Sequence, residues 1–259
     1  MGVLDRFRLD GKRALITGGS RGLGRAMAQA LAEVGADLLL VGREADNLDK
    51  ARSELSSLGR NVDIIVGDVG IPAEIERVCK IALEKCGGFD VLVNNVGGRR
   101  ISIPTEDLPL KDWQNILDLN LTSAFLCCQA IGKGMIERKR GSIINVTSIS
   151  GIVVNKGIHG RTYETSKAAL AAFTKTLAVD WAGYNIRVNA IAPGGFLTDP
   201  NRKWFREKPE LHDIFVSQIP MGRLGEPDEI GPLAVYLSSD ASSYMTGATL
   251  IIDGGYTLW

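Results

Sequence analysis

The sequence has no surplus of charge, no long apolar run and few residues of the kinds that hold metals. Its 30 Lys and Arg residues balance 30 Asp and Glu residues, which leaves no basic surface to attract nucleic acid or an anionic membrane. The N-terminal segment lacks the apolar core of a signal peptide, and no apolar stretch approaches the length of a membrane span. We therefore expect a cytoplasmic protein with neither nucleic-acid nor membrane partners.

Cysteine and histidine are scarce, with four and two copies respectively. No two of them have the clustered spacing of a zinc site or another metal site. The cysteines lie in apolar stretches with a helical pattern, where a thiol behaves as a small hydrophobic group. We therefore expect buried free thiols, no disulfide and no structural metal; the residues concerned are Cys79, Cys86, Cys127, Cys128, His159 and His212.

What the sequence does contain is an alternation of short apolar runs with longer helical patterns. The runs are rich in Val, Ile and Leu and mostly lack polar alternation, which is typical of strands buried on both faces of a parallel sheet. They predict strands at Arg13–Thr17, Asp37–Val41, Val62–Val66, Val91–Asn94, Ser142–Val146, Ile186–Ala192 and Thr249–Ile252. Helices are expected near Arg25–Val34, Ala45–Leu58, Pro72–Lys85, Leu110–Glu137, Tyr163–Ala182 and Pro227–Leu237. This order indicates an α/β fold of the Rossmann type, a doubly wound seven-stranded parallel sheet with helices on both faces.

No linker, low-complexity tract or internal repeat divides the 259 residues, so we predict a single domain over 1–259. One segment, at about 194–223, breaks the alternation and mixes aromatic residues with many charges. It follows the sixth strand, and open α/β sheets bind ligands at the carboxyl ends of their strands. We expect this insertion to cover the substrate. The alternative is a surface helical excursion that packs its own aromatic side chains.

A glycine-rich loop, Thr17-Gly-Gly-Ser-Arg-Gly-Leu-Gly24, follows the first predicted strand and leads into the first helix. Glycines let the backbone approach a pyrophosphate, and a helix N-terminus offers N–H groups and a favourable dipole. Arg25 follows Gly24 where a Walker A loop requires Lys and then Ser or Thr. The loop therefore predicts a dinucleotide site, the alternative being a tight turn without a ligand.

The end of the second strand indicates which dinucleotide. An acidic residue at this position binds the adenosine ribose hydroxyls of NAD, whereas an arginine accommodates the 2′-phosphate of NADP. Here the strand is followed by Arg43, and no carboxylate appears until Glu44. Arg21 in the glycine loop adds a second guanidinium suited to a phosphate. We predict NADP(H) rather than NAD(H).

Tyr163 and Lys167 lie four residues apart in Tyr-Glu-Thr-Ser-Lys, downstream of Ser148. At this spacing they share one face of a helix. A phenol has an ordinary pKa of about 10, and a neighbouring ammonium group favours its ionised form. A serine hydroxyl nearby would hold a carbonyl or alcohol oxygen, so the three are candidates for proton transfer during hydride chemistry. The pair alone is also compatible with an ordinary surface helix.

With these residues together, the chain resembles the short-chain dehydrogenase/reductase family over nearly its whole length. Besides the segments above, the matching ones are Asp68-Val69, Asn94-Asn95-Val96-Gly97, Asn120, Pro193-Gly194 and Asp253-Gly254-Gly255. The resemblance implies four catalytic residues: Asn120 for the helix kink and a relay water, Ser148 for the substrate oxygen, Tyr163 as the acid/base and Lys167 for the nicotinamide ribose and the phenolate. It also implies that Asn94 braces the sheet. The expected cofactor contacts are Gly18, Ser20, Arg21, Gly22, Leu23, Gly24, Arg43, Asp68, Val69, Asn95, Gly97, Tyr163, Lys167, Pro193, Gly194 and Thr198.

Two positions depart from the pattern of the family. Val96 stands where the family usually has alanine, which adds bulk beside the cofactor. The interval from Ile149 to Thr162 is slightly longer than is common, which reshapes the wall of the substrate pocket. Neither departure removes a catalytic group.

The sequence indicates the substrate less clearly than it indicates the type of reaction. Arg99, Arg100, His159 and Arg161 stand near the predicted site and favour an anionic or highly hydroxylated substrate if they face it, the alternative being solvated loops. The two ends of the chain resemble gluconate 5-dehydrogenases and ketose or polyol reductases, and similar segments occur in 3-oxoacyl-[acyl-carrier-protein] reductases. We favour a sugar acid, ketose or polyol; the alternatives are the acyl-carrier reductase and, more remotely, a non-catalytic NADPH-binding sensor or scaffold.

The resemblance further implies a homotetramer. One interface would form from the helices Leu110–Glu137 and Tyr163–Ala182, and the other from the last strand together with Trp259.

Overall fold

The predicted strands form one parallel sheet, and the predicted fold class is confirmed. The computed structural model describes residues 2–98, 101–154, 161–207 and 209–259. The strands are β1 Arg13–Thr17, β2 Asp37–Gly42, β3 Val62–Val66, β4 Val91–Asn94, β5 Gly141–Val146, β6 Ile186–Pro193 and β7 Thr249–Ile252. The helices are α1 Gly22–Glu33, α2 Ala45–Ser56, α3 Pro72–Cys86, α4 Leu110–Leu117, α5 Ser123–Arg138, α6 Thr162–Ala182, α7 Asp199–Glu207, α8 Pro209–Val216 and α9 Gly231–Ser238.

Apolar side chains on both faces of the strands explain why the sheet carries helices on both sides. Consecutive residues of a strand point to opposite faces, and in β1 Ile16 joins one core cluster while Leu15 joins the other. The first cluster packs against α1, α2 and α9, and the second packs against α3, α5 and α6. The continuous apolar runs of the sequence are therefore buried from both directions.

The order of the strands creates a crevice at the carboxyl ends of the central strands β1 and β4. The order is β3-β2-β1-β4-β5-β6-β7, so β1 pairs with β2 on one side and with β4 on the other. The chain leaves β1 in one direction and resumes at β4 in the other, and the loops at the carboxyl ends of these two strands diverge. In open α/β sheets this topological switch point is where ligands bind.

The helix predicted over Leu110–Glu137 is divided in two, and the division includes Asn120, where the family resemblance implied a kink. A π-helical turn at Asp118–Thr122 separates α4 from α5. Two side chains take backbone acceptors of this region: Asn120 Nδ2 donates to Ile116 O at 2.9 Å, and Ser123 Oγ donates to Leu119 O at 2.7 Å. Side chains that enter the helical ladder in this way are a recognised cause of kinks.

The insertion at about 194–223 contains two short helices, α7 and α8. Phe205 of α7 lies beside Phe215 of α8, with ring centroids 6.3 Å apart. Phe215 also stacks on Tyr256 near the C-terminus, with centroids 5.2 Å apart and rings inclined by 22°. Phe215 thus connects Phe205 of the insertion to the C-terminal segment.

The cysteines are free thiols: Cys79, Cys127 and Cys128 are buried, and Cys86 is half-buried. Burial raises the pKa of Cys128 to about 12, which keeps this thiol protonated and unreactive. Within the described ranges, no three metal-ligating side chains cluster as a metal site requires. Among those same residues, no helix has both the length and the apolar content needed to cross a bilayer.

Candidate active site

The glycine loop folds tightly between β1 and α1. Gly18 N donates to Val41 O at 2.8 Å, and Gly18 and Gly22 have φ values of +66° and +56°, in the left-handed region that favours glycine. A Cβ on Gly24 would collide with the carbonyl oxygen of Gly18. No side chain of the described residues caps the start of α1 at Arg21. The first N–H groups of α1 are therefore available to an anion.

A cavity of about 700 Å³ opens beside this loop at the switch point of the sheet. Its walls come from the loops after β1, β2, β3 and β4 and from the α4 region. Eight of the residues expected to contact a cofactor line it, namely Gly18, Ser20, Arg21, Arg43, Asp68, Val69, Asn95 and Gly97. Residues that are far apart in the sequence thus meet around one elongated space.

Two arginines at this cavity each face a carboxylate. Arg21 Nη1 lies 3.5 Å from Glu44 Oε1, and Arg43 Nη1 lies 3.8 Å from Asp68 Oδ2. Both guanidinium groups are largely exposed to solvent, so these pairs are loose and exchange readily with another anion.

Asn95 fastens the loop after β4 to the glycine loop. Its Nδ2 atom donates to Thr17 O at 3.1 Å and to Gly18 O at 3.3 Å, while its backbone N–H donates to Thr17 Oγ1 at 3.0 Å. On the neighbouring strand pair, Asn94 Nδ2 donates to Asn145 Oδ1 at 2.9 Å. Asn94 thus joins β4 to β5, as expected, and Asn95 fixes one wall of the cavity.

Lys167 is buried on α6 and points to the end of β5. Its Nζ atom donates to Val146 O at 2.8 Å and lies 5.9 Å from the centroid of the Tyr163 ring. Only 2% of the residue is exposed, and burial lowers the pKa of Lys167 to about 8. Tyr163 itself is half-buried one turn earlier on the same helix. The two side chains therefore share a face, as their spacing predicted.

Asn120 lies in the π-helical turn and is completely buried. Its Oδ1 atom accepts from Gly98 N at 2.8 Å, and its Nδ2 atom donates to Gly98 O at 3.1 Å. A Cβ placed on Gly97 would lie 2.9 Å from Asn120 Oδ1 and 2.5 Å from Lys167 Nζ. Gly97 thus separates the amide of Asn120 from the ammonium group of Lys167 and leaves no room for a side chain of its own.

Ser148 follows β5 and begins a short turn that leans on α6. Its Oγ atom accepts from Ser150 N at 3.1 Å, and the residue is 9% exposed. A Cβ on Gly151 would lie 2.8 Å from the carbonyl carbon of Lys167. This close approach brings the serine turn against the helix turn that carries Tyr163 and Lys167.

The loop after β6 reaches the glycine loop through Thr198. Pro193 is buried at the end of β6, and a Cβ on Gly194 would lie 2.7 Å from Asp253 Cβ. Thr198 lies opposite the glycine loop, since a Cβ on Gly22 would be 3.5 Å from Thr198 Cγ2. Leu23 and Gly24 follow in the first turn of α1. Gly22 and Thr198 thus lie next to each other, but none of these six expected residues lines the cavity of about 700 Å³, and their contacts with a cofactor stay a prediction.

Known proteins match nearly the whole length of this chain. The profile of a family described as Enoyl-(Acyl carrier protein) reductase matches residues 18–257. Galactitol 2-dehydrogenase (L-tagatose-forming) of Cereibacter sphaeroides is 40% identical, over 98% of this chain and 98% of that protein. Gluconate 5-dehydrogenase of Gluconobacter oxydans is 37% identical over 98% of each chain. The 3-oxoacyl-[acyl-carrier-protein] reductase of Thermotoga maritima is 38% identical over 97% of this chain and 100% of that protein.

Solved structures agree in fold. A short-chain type dehydrogenase/reductase from Mycobacterium marinum superposes with a TM-score of 0.91 at 39% identity and covers 99% of each chain. The NADPH-dependent 3-quinuclidinone reductase from Rhodotorula rubra has a TM-score of 0.92 at 34% identity, over 100% of this chain and 96% of that one. The chain belongs to the short-chain dehydrogenase/reductase family. It is an oxidoreductase that acts on alcohol or carbonyl groups with a nicotinamide cofactor.

The site fits the cofactor that short-chain dehydrogenases bind. Gly22 has the left-handed backbone that opens a helix N-terminus to a pyrophosphate, and a Cβ there would point at Thr198 across the cleft. The cavity of about 700 Å³ has the size of a small-molecule site. Val96, which replaces the usual alanine, lines this cavity.

Several features of this short-chain dehydrogenase were not expected from its sequence. The carbonyl of Val146 holds Lys167, and no residue pattern signals a backbone acceptor. Glu44 pairs with Arg21 although the sequence indicated only that it lay beyond the strand. Asn115 and Leu119 line the cavity from α4 and the π-helical turn. Asn115 lies a little more than one helical turn before Asn120 and Leu119 directly precedes it, so their nearness to Asn120 was the available signal.

Of the four basic residues expected near the substrate, the structure describes only Arg161. Arg99, Arg100 and His159 lie outside the described residues, as do positions 155–160 of the interval between Ser148 and Tyr163. Arg161 is described, and its Nη1 atom lies 3.5 Å from Glu164 Oε1 on the first turn of α6. This guanidinium thus has an internal carboxylate partner.

Proposed function

We propose that the protein is an NADP(H)-dependent oxidoreductase that transfers hydride between nicotinamide and a carbonyl or secondary alcohol of a sugar acid, ketose or polyol. The observation that carries the proposal is the buried ammonium group of Lys167, which lies beside the Tyr163 ring and next to Gly97, a residue that lines the dinucleotide cavity of about 700 Å³. Burying an ammonium group is costly, and groups perturbed in this way cluster at functional sites.

Tyr163 would exchange a proton with the substrate oxygen. The bound nicotinamide supplies or accepts the hydride at the adjacent carbon. Lys167, with a pKa near 8, remains largely protonated at neutral pH, and its charge favours the phenolate of Tyr163. Ser148 would donate a hydrogen bond to the substrate oxygen and orient it. General acid catalysis of this kind contributes about 10² to 10⁴-fold.

The residues around the cavity would hold the cofactor by its parts. The glycine loop and the first turn of α1 would bind the pyrophosphate, and Asp68 with Val69 would contact the adenine. Pro193, Gly194 and Thr198 would contact the nicotinamide half, and Lys167 its ribose. Arg21 and Arg43 would bind a 2′-phosphate, which supports NADP(H); one structural relative at 34% identity is an NADPH-dependent reductase.

Replacing Tyr163 with phenylalanine tests the acid/base role. Tyr163→Phe removes only the hydroxyl, so turnover should fall at least a hundredfold while the Kd for NADPH changes less than threefold. Tyr184→Phe on the exposed loop after α6 is the matched control and should retain full activity. Retention of more than a tenth of the wild-type kcat in Tyr163→Phe would exclude the tyrosine as the acid.

A substrate panel tests the chemical class. Galactitol and gluconate would be assayed with NADP⁺ and with NAD⁺, and ketoses and acetoacetyl thioesters with NADPH. Relatives named galactitol 2-dehydrogenase and gluconate 5-dehydrogenase support polyols and sugar acids. A tenfold preference for NAD(H) would overturn the cofactor assignment, and saturable turnover of the thioester alone would overturn the substrate class.

The second candidate function is a 3-oxoacyl-[acyl-carrier-protein] reductase. It is favoured by the 38% identity to the enzyme of that name from Thermotoga maritima. Turnover of an acetoacetyl thioester without turnover of any polyol would select it. Tight NADPH binding with no turnover of any compound would instead support the hypothesis of a non-catalytic sensor. The presence of both Tyr163 and Lys167 argues against that hypothesis.

We also propose a single domain over 1–259 whose insertion at about 194–223 covers the substrate, and a homotetrameric assembly. Exposed apolar side chains on α5, α6 and the C-terminal segment support the assembly: Phe125 is 43%, Val179 79% and Trp259 79% exposed. Sedimentation as a monomer at micromolar concentration would contradict it.

A further inference from the structure

A line of buried polar side chains connects β4, β5 and α6 behind the candidate active site. Asn94 Nδ2 donates to Asn145 Oδ1 at 2.9 Å, and Asn145 Nδ2 donates to Thr174 Oγ1 at 2.9 Å. Thr174 Oγ1 in turn donates to Leu170 O at 2.9 Å. Asn145 and Thr174 have no exposed surface. Each hydrogen bond of this line therefore lies in a low-dielectric interior, where directional polar contacts are strong and their loss is costly.

The line ends on the helix that carries the catalytic pair. Thr174 follows Lys167 by seven residues, which is about two helical turns, so both side chains leave the same face of α6. On the strand, Asn145 directly precedes Val146, whose carbonyl accepts from Lys167 Nζ at 2.8 Å. Consecutive residues of β5 thus hold α6 at two points, one through a side chain and one through the backbone.

Apolar packing alone does not select one rotation of α6 about its axis. Its apolar residues are spread around the helix: Leu170 and Leu177 are buried against the sheet, whereas Val179 is 79% exposed. A helix with a narrow apolar stripe has one preferred rotation, and a helix that is apolar on several sides does not. Hydrogen bonds have direction, so they can select one rotation and one axial position.

We propose that Asn145 and Thr174 are positioning residues, and that their hydrogen bond sets the rotation and height of α6 so that Lys167 Nζ lies within reach of both Val146 O and Tyr163. Neither residue lines the dinucleotide cavity, and both are fully buried. The proposal rests on the proposed function, in which Lys167 and Tyr163 carry the proton transfer.

Threonine substitutions on α6 test the proposal. Thr174→Val removes the acceptor for Asn145 with little change of shape, Thr174→Ser restores a hydroxyl, and Thr176→Val is the matched control. Thr176 Oγ1 also donates to a helix carbonyl, that of Phe173 at 3.0 Å, but the residue is exposed. Each variant would be assayed with the best polyol or ketose of the panel, and NADPH would be titrated by fluorescence.

We expect Thr174→Val to lower kcat by about ten to a hundredfold, because small displacements of catalytic groups have effects of this size. Its KM for the substrate and its Kd for NADPH should change less than threefold. Thr174→Ser should recover to within threefold of wild type, and Thr176→Val should stay within twofold. Asn145→Ser, whose hydroxyl is too short to reach Thr174, should reproduce the loss and serves if Thr174→Val does not fold.

The inference is overturned if Thr174→Val or, where that variant does not fold, Asn145→Ser keeps kcat within twofold of wild type. It is also overturned if Thr174→Ser is impaired as much as Thr174→Val, or if Thr176→Val is equally impaired. Failure of the proposed function has a different signature, since Tyr163→Phe would then remain active. An inactive Tyr163→Phe beside a fully active Thr174→Val would refute the positioning role alone.

Discussion

The carboxamide of Asn120 exchanges two hydrogen bonds with the backbone of Gly98, accepting from its N–H at 2.8 Å and donating to its carbonyl at 3.1 Å. The two residues are 22 positions apart, on the π-helical turn and on the loop after β4. A third bond, from Asn120 Nδ2 to Ile116 O, holds the helix open at this turn. One side chain therefore determines both the kink of the α4–α5 segment and the position of the loop that borders Lys167.

Replacing Asn120 with alanine should destabilise the fold and the site together. The change removes the partner of the half-buried N–H and carbonyl of Gly98 and of the buried carbonyl of Ile116, and an unsatisfied buried group costs about 1–3 kcal/mol. We expect the free energy of unfolding to fall by roughly 2–4 kcal/mol in urea titrations and kcat to fall at least tenfold. Gln114→Ala, on the exposed face of α4, is the control and should change neither quantity. An Asn120→Ala variant as stable as wild type would contradict the structural role of these bonds.

The burial of Lys167 should make the stability of the protein depend on pH. Its pKa is about 8 in the folded chain, against an ordinary value of 10.5. Between these values the unfolded chain binds a proton that the folded chain does not, so the free energy of unfolding rises with pH across this window. Lys167→Met removes this dependence, and at neutral pH the variant should be more stable than wild type by up to about 3 kcal/mol.

Urea titrations at pH 7 and pH 9.5 measure this effect. The stability gap between Lys167→Met and wild type should narrow by about 2 kcal/mol at the higher pH. Lys175→Met is the control, because Lys175 is exposed on the same helix. An equal gap at both pH values would mean that the folded chain keeps Lys167 protonated throughout.

The fold was largely predictable because its strands are apolar on both faces. A run such as Leu38–Val41 has no polar alternation, and the structure buries every one of its side chains. The kink at Asn120 was expected from the family resemblance alone; the helical pattern does not show it, because the partner of that side chain, Gly98, is distant in sequence. The motifs indicated the candidate residues of the site, but the acceptor of Lys167 is the carbonyl of Val146, and any residue can supply a carbonyl.

Gly97 should tolerate no side chain. Its replacement should lower kcat more strongly than it lowers the free energy of unfolding. A Cβ would lie 2.5 Å from Lys167 Nζ and 2.9 Å from Asn120 Oδ1, so Gly97→Ala must displace the ammonium group. Overpacking of this kind costs about 1–3 kcal/mol of stability, whereas kcat should fall at least tenfold. Gly183→Ala is the matched control, since a Cβ at that position would meet no neighbouring group of the described residues within 4 Å. Comparable kcat values for the two variants would contradict the close contact.

Glu44 should weaken the binding of NADP(H) by competing for Arg21. Glu44 Oε1 lies 3.5 Å from Arg21 Nη1, so a 2′-phosphate at this arginine must displace or face the carboxylate. Glu44→Gln keeps the size of the side chain and removes its charge. At a half-exposed site this change is worth about 1 kcal/mol, or roughly fivefold in Kd. We therefore expect the Kd for NADP⁺ to fall about fivefold and the Kd for NAD⁺ to stay nearly constant.

Fluorescence titration with both dinucleotides at two salt concentrations measures the change. Glu54→Gln is the matched control, because Glu54 pairs with Arg25 at 3.0 Å and neither residue lines the dinucleotide cavity. The decrease in the Kd for NADP⁺ that Glu44→Gln produces should become smaller as the salt concentration rises, since screening weakens the repulsion between carboxylate and phosphate. An equal gain for NADP⁺ and NAD⁺ would show that Glu44 acts on the ribose or the pyrophosphate, and it would remove Arg21 from the 2′-phosphate site.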